Sequence, residues 1–129
     1  MERAVPILPG DDVTTAKKFY VNELGFNVAW EWRSDDGSSG LVGLERNGIE
    51  LTIDCPMTGH GREACVSLRV DNADAYYEEW KNRVPVKRAP KNESWGSRTF
   101  GLIDPFGNTL FVIGPLADET SPSSARTGS

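Results

Sequence analysis

Histidine occurs once in 129 residues and cysteine twice, so the side chains that most often bind transition metals or act as nucleophiles are nearly missing. Cys55 and Cys65 stand ten residues apart without any pattern of paired cysteines, which reads as two reduced thiols rather than a disulfide. No apolar run approaches the roughly 20 residues of a membrane span. The start, MERAVPILPG, lacks the charged-then-apolar layout of a secretory signal, so the expected location is the cytoplasm, with no membrane partner. The formal net charge is −5, which argues against nucleic acid as a direct partner, because such affinity comes from neutralising phosphates. An acidic surface favours a cationic small molecule, although mild acidity also serves solubility alone. A nucleophile elbow and a phosphate-cradling glycine loop are both missing.

What is present is globular. Hydrophobic residues at 38% and charged residues at 26% are balanced well enough for one core, and a chain this long buries roughly two thirds of its unfolded surface without a metal or disulfide staple. A single domain is expected over residues 1–116. The run 117–129, where Ser, Thr, Pro and Gly dominate, is expected to be a disordered tail.

Val13, Ala16, Phe19, Tyr20 and Leu24 fall at helical spacing, with Asp11 or Asp12 as N-cap and Gly25 as the stop, so the first helix is predicted over 12–24. Ala73, Tyr76, Tyr77 and Trp80 mark the buried side of a second, from about Ala73 to Arg83, capped by Asp71 or Asn72. Strand-like runs cover 5–9, 26–33, 40–45, 49–54, 64–70, 84–88, 98–103 and 109–113. They are separated by the turn sequences SDDGSS, ERNG and DPFGN. The order strand, helix, three strands occurs twice at an offset of about sixty residues: Val5 corresponds to Cys65, Leu8 to Leu68, Asp11 to Asp71 and Tyr20 to Trp80. The fold class is therefore α+β, built from a duplicated unit.

That layout, with AVPILPGDDVTTAKKFYVNELGF near the start and WGSRTFGLIDPFGN near the end, resembles the vicinal oxygen chelate superfamily. This family includes glyoxalase I, extradiol dioxygenases, fosfomycin-resistance enzymes and bleomycin-resistance proteins. The resemblance covers residues 4–114. It implies two tandem βαβββ modules, about 4–56 and 63–114, whose curved mixed sheets form a pocket, commonly in a homodimer.

Metal-dependent members of that family place ligands at up to four pocket positions. By the resemblance these fall at Val5, Glu50, Cys65 and Phe111 here; ACVSLRVDN aligns Cys65 with a family histidine, and GNTLFVIG aligns Phe111 with a family glutamate. Only Glu50 keeps an ordinary hard ligand, Cys65 could serve zinc as thiolate, and Val5 and Phe111 offer no electron pair. His60, in the loop TGHGRE, reads as a solvated loop residue. No metal and no cofactor are expected.

If Glu50 faces the pocket as in relatives, alternation along the strands turns Thr52 and Asp54 inward with it and sends Ile49, Leu51 and Ile53 to a helix. Cys65 and Ser67 face the pocket by the same rule, as do Phe111 and its strand neighbours Thr109 and Ile113. Trp30 and Trp32 are expected to share a face with Phe26 and Val28, while Trp95 heads the seventh strand beside Gly96. Trp80 is core. Aromatic walls beside carboxylates suit a flat cation, and bleomycin-type glycopeptides, with planar heteroaromatic rings and a cationic tail, fit. The leading reading is a homodimeric binding protein that sequesters such an antibiotic through Trp30, Trp32, Glu50, Thr52, Asp54, Cys65, Ser67, Trp95, Gly96 and Phe111. Alternatives are a metal-dependent lyase or thiol transferase using Glu50, Cys65 or His60, and a domain whose pocket serves only dimerisation or regulation.

Overall fold

Polar caps and a glycine stop set the helices. In the computed structural model, which describes residues 2–58 and 61–117, β1 (Ile7–Pro9) leads into α1 (Val13–Lys17). Asp12 is the cap, extended at φ −150°, and its carboxylate accepts from the Thr15 amide at 2.7 Å. Over Lys18–Glu23 the helix widens into π-helical geometry, the Leu24 amide reaching back to the Phe19 carbonyl, and Gly25 closes it at φ +80°. The span expected for this helix holds, but only its first half is α-helical. The second helix, α2 (Ala73–Trp80), is capped by Asn72 and ends earlier than expected, because the chain turns through 81–83 toward Pro85, and a residue before proline resists helical geometry.

The first module's strands are β1, β2 (Asn27–Arg33), β3 (Gly40–Arg46) and β4 (Ile49–Cys55), in the order β1-β4-β3-β2. The second repeats the arrangement as β5-β8-β7-β6, from β5 (Cys65–Arg69), β6 (Lys91–Asn92), β7 (Ser97–Ile103) and β8 (Thr109–Pro115). β1 runs parallel to β4 and β5 parallel to β8, and the other neighbours are antiparallel. This is the expected α+β fold of two βαβββ units with mixed sheets, which do not close into a barrel.

Alternation sends Leu8, Val42, Leu44, Leu51 and Ile53 of one sheet, and Leu68, Phe100, Leu102, Leu110 and Val112 of the other, into a single hydrophobic cluster that spans both modules. Trp80 is fully buried there, as expected, and its indole N–H donates to the Leu24 carbonyl at 3.2 Å. Each such large side chain contributes about 1.5–3 kcal/mol by leaving water.

Two strand expectations are corrected. Residues 84–88 make only an isolated bridge from Val86 to Leu102, and the short strand Lys91–Asn92 takes the edge beside β7 instead. Pro85 and Pro90 lack the N–H groups a continuous ladder needs. In β2 the register shifts between Val28 and Trp30, a bulge that reverses the side-chain alternation. Phe26 is therefore buried in the core and Val28 pairs with core residue Leu44, whereas Trp30 and Trp32 emerge on the opposite face.

His60 and residues 118–129, where the expected tail falls, lie outside the described residues.

Candidate functional site

Each sheet has one side in the core and one turned away from it. On the open side of the first sheet, hydrogen-bond register aligns Ile7, Thr52, Gly43 and Trp30 in one row across β1, β4, β3 and β2. Gly43 is decisive in that row. Its missing side chain lets the Trp30 indole lie across the strand: a Cβ there would stand 2.1 Å from the indole nitrogen. Trp30 stays 48% exposed, so one surface of the ring is packed and the other is free.

Beside it, a hollow of about 320 Å³ is lined by Trp30, Thr52, Val5, Arg3, Glu45 and Glu50, among others of the same module. Glu45 and Glu50 are direct cross-strand partners. Opposed like charges on one sheet face repel, which makes that corner of the hollow a place for a cation. Arg3 fills part of that role, its Nε standing 2.9 Å from one Glu50 oxygen and 3.0 Å from the other. Glu45 also accepts from the Gly48 amide at 3.2 Å.

Gly43, Glu45 and Arg3 are site residues that the sequence reading missed. Glu45 was within reach: the turn at Asn47 and Gly48, both at positive φ, pairs residue 45 with residue 50. Arg3 had no such signal, since it precedes β1 and belongs to no periodic element.

Trp32 and Asp54 share the open face one row further along, aligned through Leu41, and Trp32 is 52% exposed. Cys65, Ser67 and Phe111 lie on the open face of the second sheet. There Phe111 pairs with Ser67 and with Gly101, against which its ring packs. The row Ser67, Phe111, Gly101 thus repeats Ile7, Thr52, Gly43 of the first module. Phe111 is 39% exposed and Ile103 nearby 40%. Trp95 and Gly96 do not begin β7 but form the tip of the β6–β7 turn, which Gly96 closes at φ +100° by donating to the Glu93 carbonyl. The structure therefore gathers Trp30, Glu50 and Thr52 at one hollow, and places the remaining expected residues on the same face, on the other module's face, or at a hairpin tip.

The four positions that the resemblance set against metal ligands divide between the sheets, Val5 and Glu50 beside the first and Cys65 and Phe111 on the second. Valine and phenylalanine cannot coordinate, and Glu50 is engaged by Arg3, so these residues do not fit a divalent ion. Among the described residues, no three His, Cys, Asp or Glu side chains cluster so as to hold one. The two thiols differ sharply: Cys65 is exposed on the open face, whereas burial, with help from Asp12 and Asp54, pushes Cys55 up to about 12. No helix is long and apolar enough to cross a membrane among the described residues.

A bleomycin-binding protein solved in complex with bleomycin has a TM-score of 0.72 to this chain at 24% identity, over 90% of this chain and 100% of its own. TnmS3, an antibiotic-binding protein from Streptomyces sp. CB03234, has a TM-score of 0.71 at 25% identity, over 90% and 98% of the two chains. A glyoxalase/bleomycin resistance protein from the same organism gives 0.68 at 27% identity, over 87% and 99%. No curated protein matches the sequence at a significant level. A family model described as glyoxalase superfamily protein matches residues 1–114, the whole of both modules, and the chain belongs to the glyoxalase superfamily.

Proposed function

We propose that this protein is a metal-independent binding protein for a flat, positively charged aromatic molecule of the bleomycin class, which it sequesters. The observation that carries the reading is the Trp30 indole, laid over Gly43 with one surface free, beside the facing carboxylates Glu45 and Glu50. Stacking on such a ring and cation–π attraction each add about 0.5–2 kcal/mol when water is excluded.

At about 320 Å³ the hollow is at the small end of ligand pockets, large enough for one planar group of a glycopeptide. The rest of such a ligand needs a second wall. Both open faces carry exposed apolar side chains, Ile7, Trp30 and Trp32 on one and Ile103 and Phe111 on the other, and both turn away from the shared core. Setting the first face of one copy against the second face of another would supply that wall and exclude water from both, so the working form is proposed to be a homodimer. Cys65, Ser67 and Phe111 would then complete the pocket begun by Trp30, Trp32, Glu50, Thr52 and Asp54, with Trp95 and Gly96 at its rim. Similarity to a bleomycin-bound protein and to an antibiotic-binding protein favours this ligand class.

A thermal-shift screen tests the proposal. A ligand at 100 times its dissociation constant adds about 2.7 kcal/mol to stability, so bleomycin-type cations should raise Tm where divalent metals do not. A rise with metals alone would reverse the assignment.

A further inference from the structure

Arg3 contacts Glu50 across 47 positions of sequence, from a segment with no regular structure, and it lines the same hollow as Trp30. The geometry is incomplete. One N–H, at Nε, donates to a single Glu50 oxygen at 3.0 Å while the other oxygen stands 2.9 Å from the same nitrogen, and among the described residues the terminal amino groups of Arg3 make no hydrogen bond. A guanidinium can instead present two parallel N–H groups to a carboxylate, a shorter and more directional arrangement.

Exposure adds to the weakness: the Arg3 side chain is 64% exposed and Glu50 33%, so water screens the pair. The chain is anchored just beyond, where the Pro6 carbonyl accepts from the Thr52 amide at 3.0 Å. Arg3 lies three residues outside that anchor and can swing away while β1 stays paired.

We infer that Arg3 is an internal competitor for the cation subsite of this hollow, and that ligands bearing a planar guanidinium or amidinium group enter by displacing it from Glu50. The inference rests on the binding reading of the same site and sharpens it in two ways. It selects planar, forked cations over ammonium groups, which present only a point charge, and it makes Arg3 a determinant of specificity. A ring attached to the fork would lie toward Trp30, adding stacking that Arg3 itself does not provide.

The test is NMR titration, following the tryptophan indole N–H signals, of wild type, Arg3→Ala and Arg3→Ala/Glu50→Gln with benzamidinium, benzylammonium and neutral benzamide. Arg3→Ala should bind benzamidinium about three- to tenfold more tightly than wild type, as expected for removal of an exposed competing pair. Benzamide should be unaffected, benzylammonium should gain less, and the Glu50→Gln change should cancel the improvement. Binding to Arg3→Ala alone would also support the inference. Equal or weaker benzamidinium binding by Arg3→Ala would overturn it while leaving the binding reading intact, whereas no binding of any probe to any variant would overturn both.

Discussion

The Tyr20 hydroxyl donates a 2.7 Å hydrogen bond to the Asp104 carboxylate, 84 positions away and in the other module. The same carboxylate accepts from the amides of Phe106 and Asn108 and from the Asn108 side chain, which in turn donates to the Pro9 carbonyl. The turn DPFGN is thus more than a hairpin connection. It is a buried polar lock that ties the second module to the first helix and first strand.

Loss of the Tyr20 hydroxyl leaves Asp104 three of its four donors, so Tyr20→Phe should cost about 1.5–3 kcal/mol, the usual range for a hydrogen bond to a charged group. Denaturant unfolding of both proteins measures it.

The same contact makes the fold sensitive to alkali. Burial foremost, then the nearby Asp104 charge and its hydrogen bond, hold the Tyr20 phenol well above its ordinary pKa of 10.0. The folded state therefore keeps a proton that the unfolded state gives up. The resulting stability is complete below pH 10 and declines as pH rises above it. Thermal unfolding followed from about pH 8 to about pH 11, roughly three units around the phenol pKa, should show Tm falling more steeply in wild type than in Tyr20→Phe.

Gly43 tests the aromatic platform. A methyl group there would stand 2.1 Å from the Trp30 ring, and Trp30, being half exposed, can yield by moving outward. Gly43→Ala should leave the fold intact, shift the tryptophan emission toward the red, and weaken aromatic ligands about tenfold through loss of the stacking surface. Circular dichroism and a ligand titration separate the two effects.

Thiol chemistry reads the two faces of the sheets. Cys65 lies exposed on the open side, while Cys55 is buried and held protonated to about 12. A disulfide reagent at neutral pH should modify one thiol per native chain quickly and the second only after denaturation. Bound ligand should slow the first reaction if Cys65 belongs to the pocket wall.

The division of residues between core and open face was legible wherever a strand alternates without interruption. Leu51 and Ile53 against Glu50 and Thr52, and Val66 and Leu68 against Cys65 and Ser67, follow from a period of two. It failed at β2 because one extra residue inverts every side chain beyond it, and nothing in NVAWEWR marks where that residue sits. The edge near 84–92 was misplaced because Val86 and its neighbours have strand-like side chains while the flanking prolines lack donors. Arg3 escaped notice because a contact across 47 positions from an irregular segment leaves no periodic trace.

The most direct measurement is calorimetric titration of metal-free bleomycin into chelator-treated protein. The account predicts saturable binding with a Kd below about 1 mM, weakened about tenfold or more by Trp30→Ala or Trp32→Ala. An absence of saturable heat, or binding that returns only with a stoichiometric divalent ion, would contradict it.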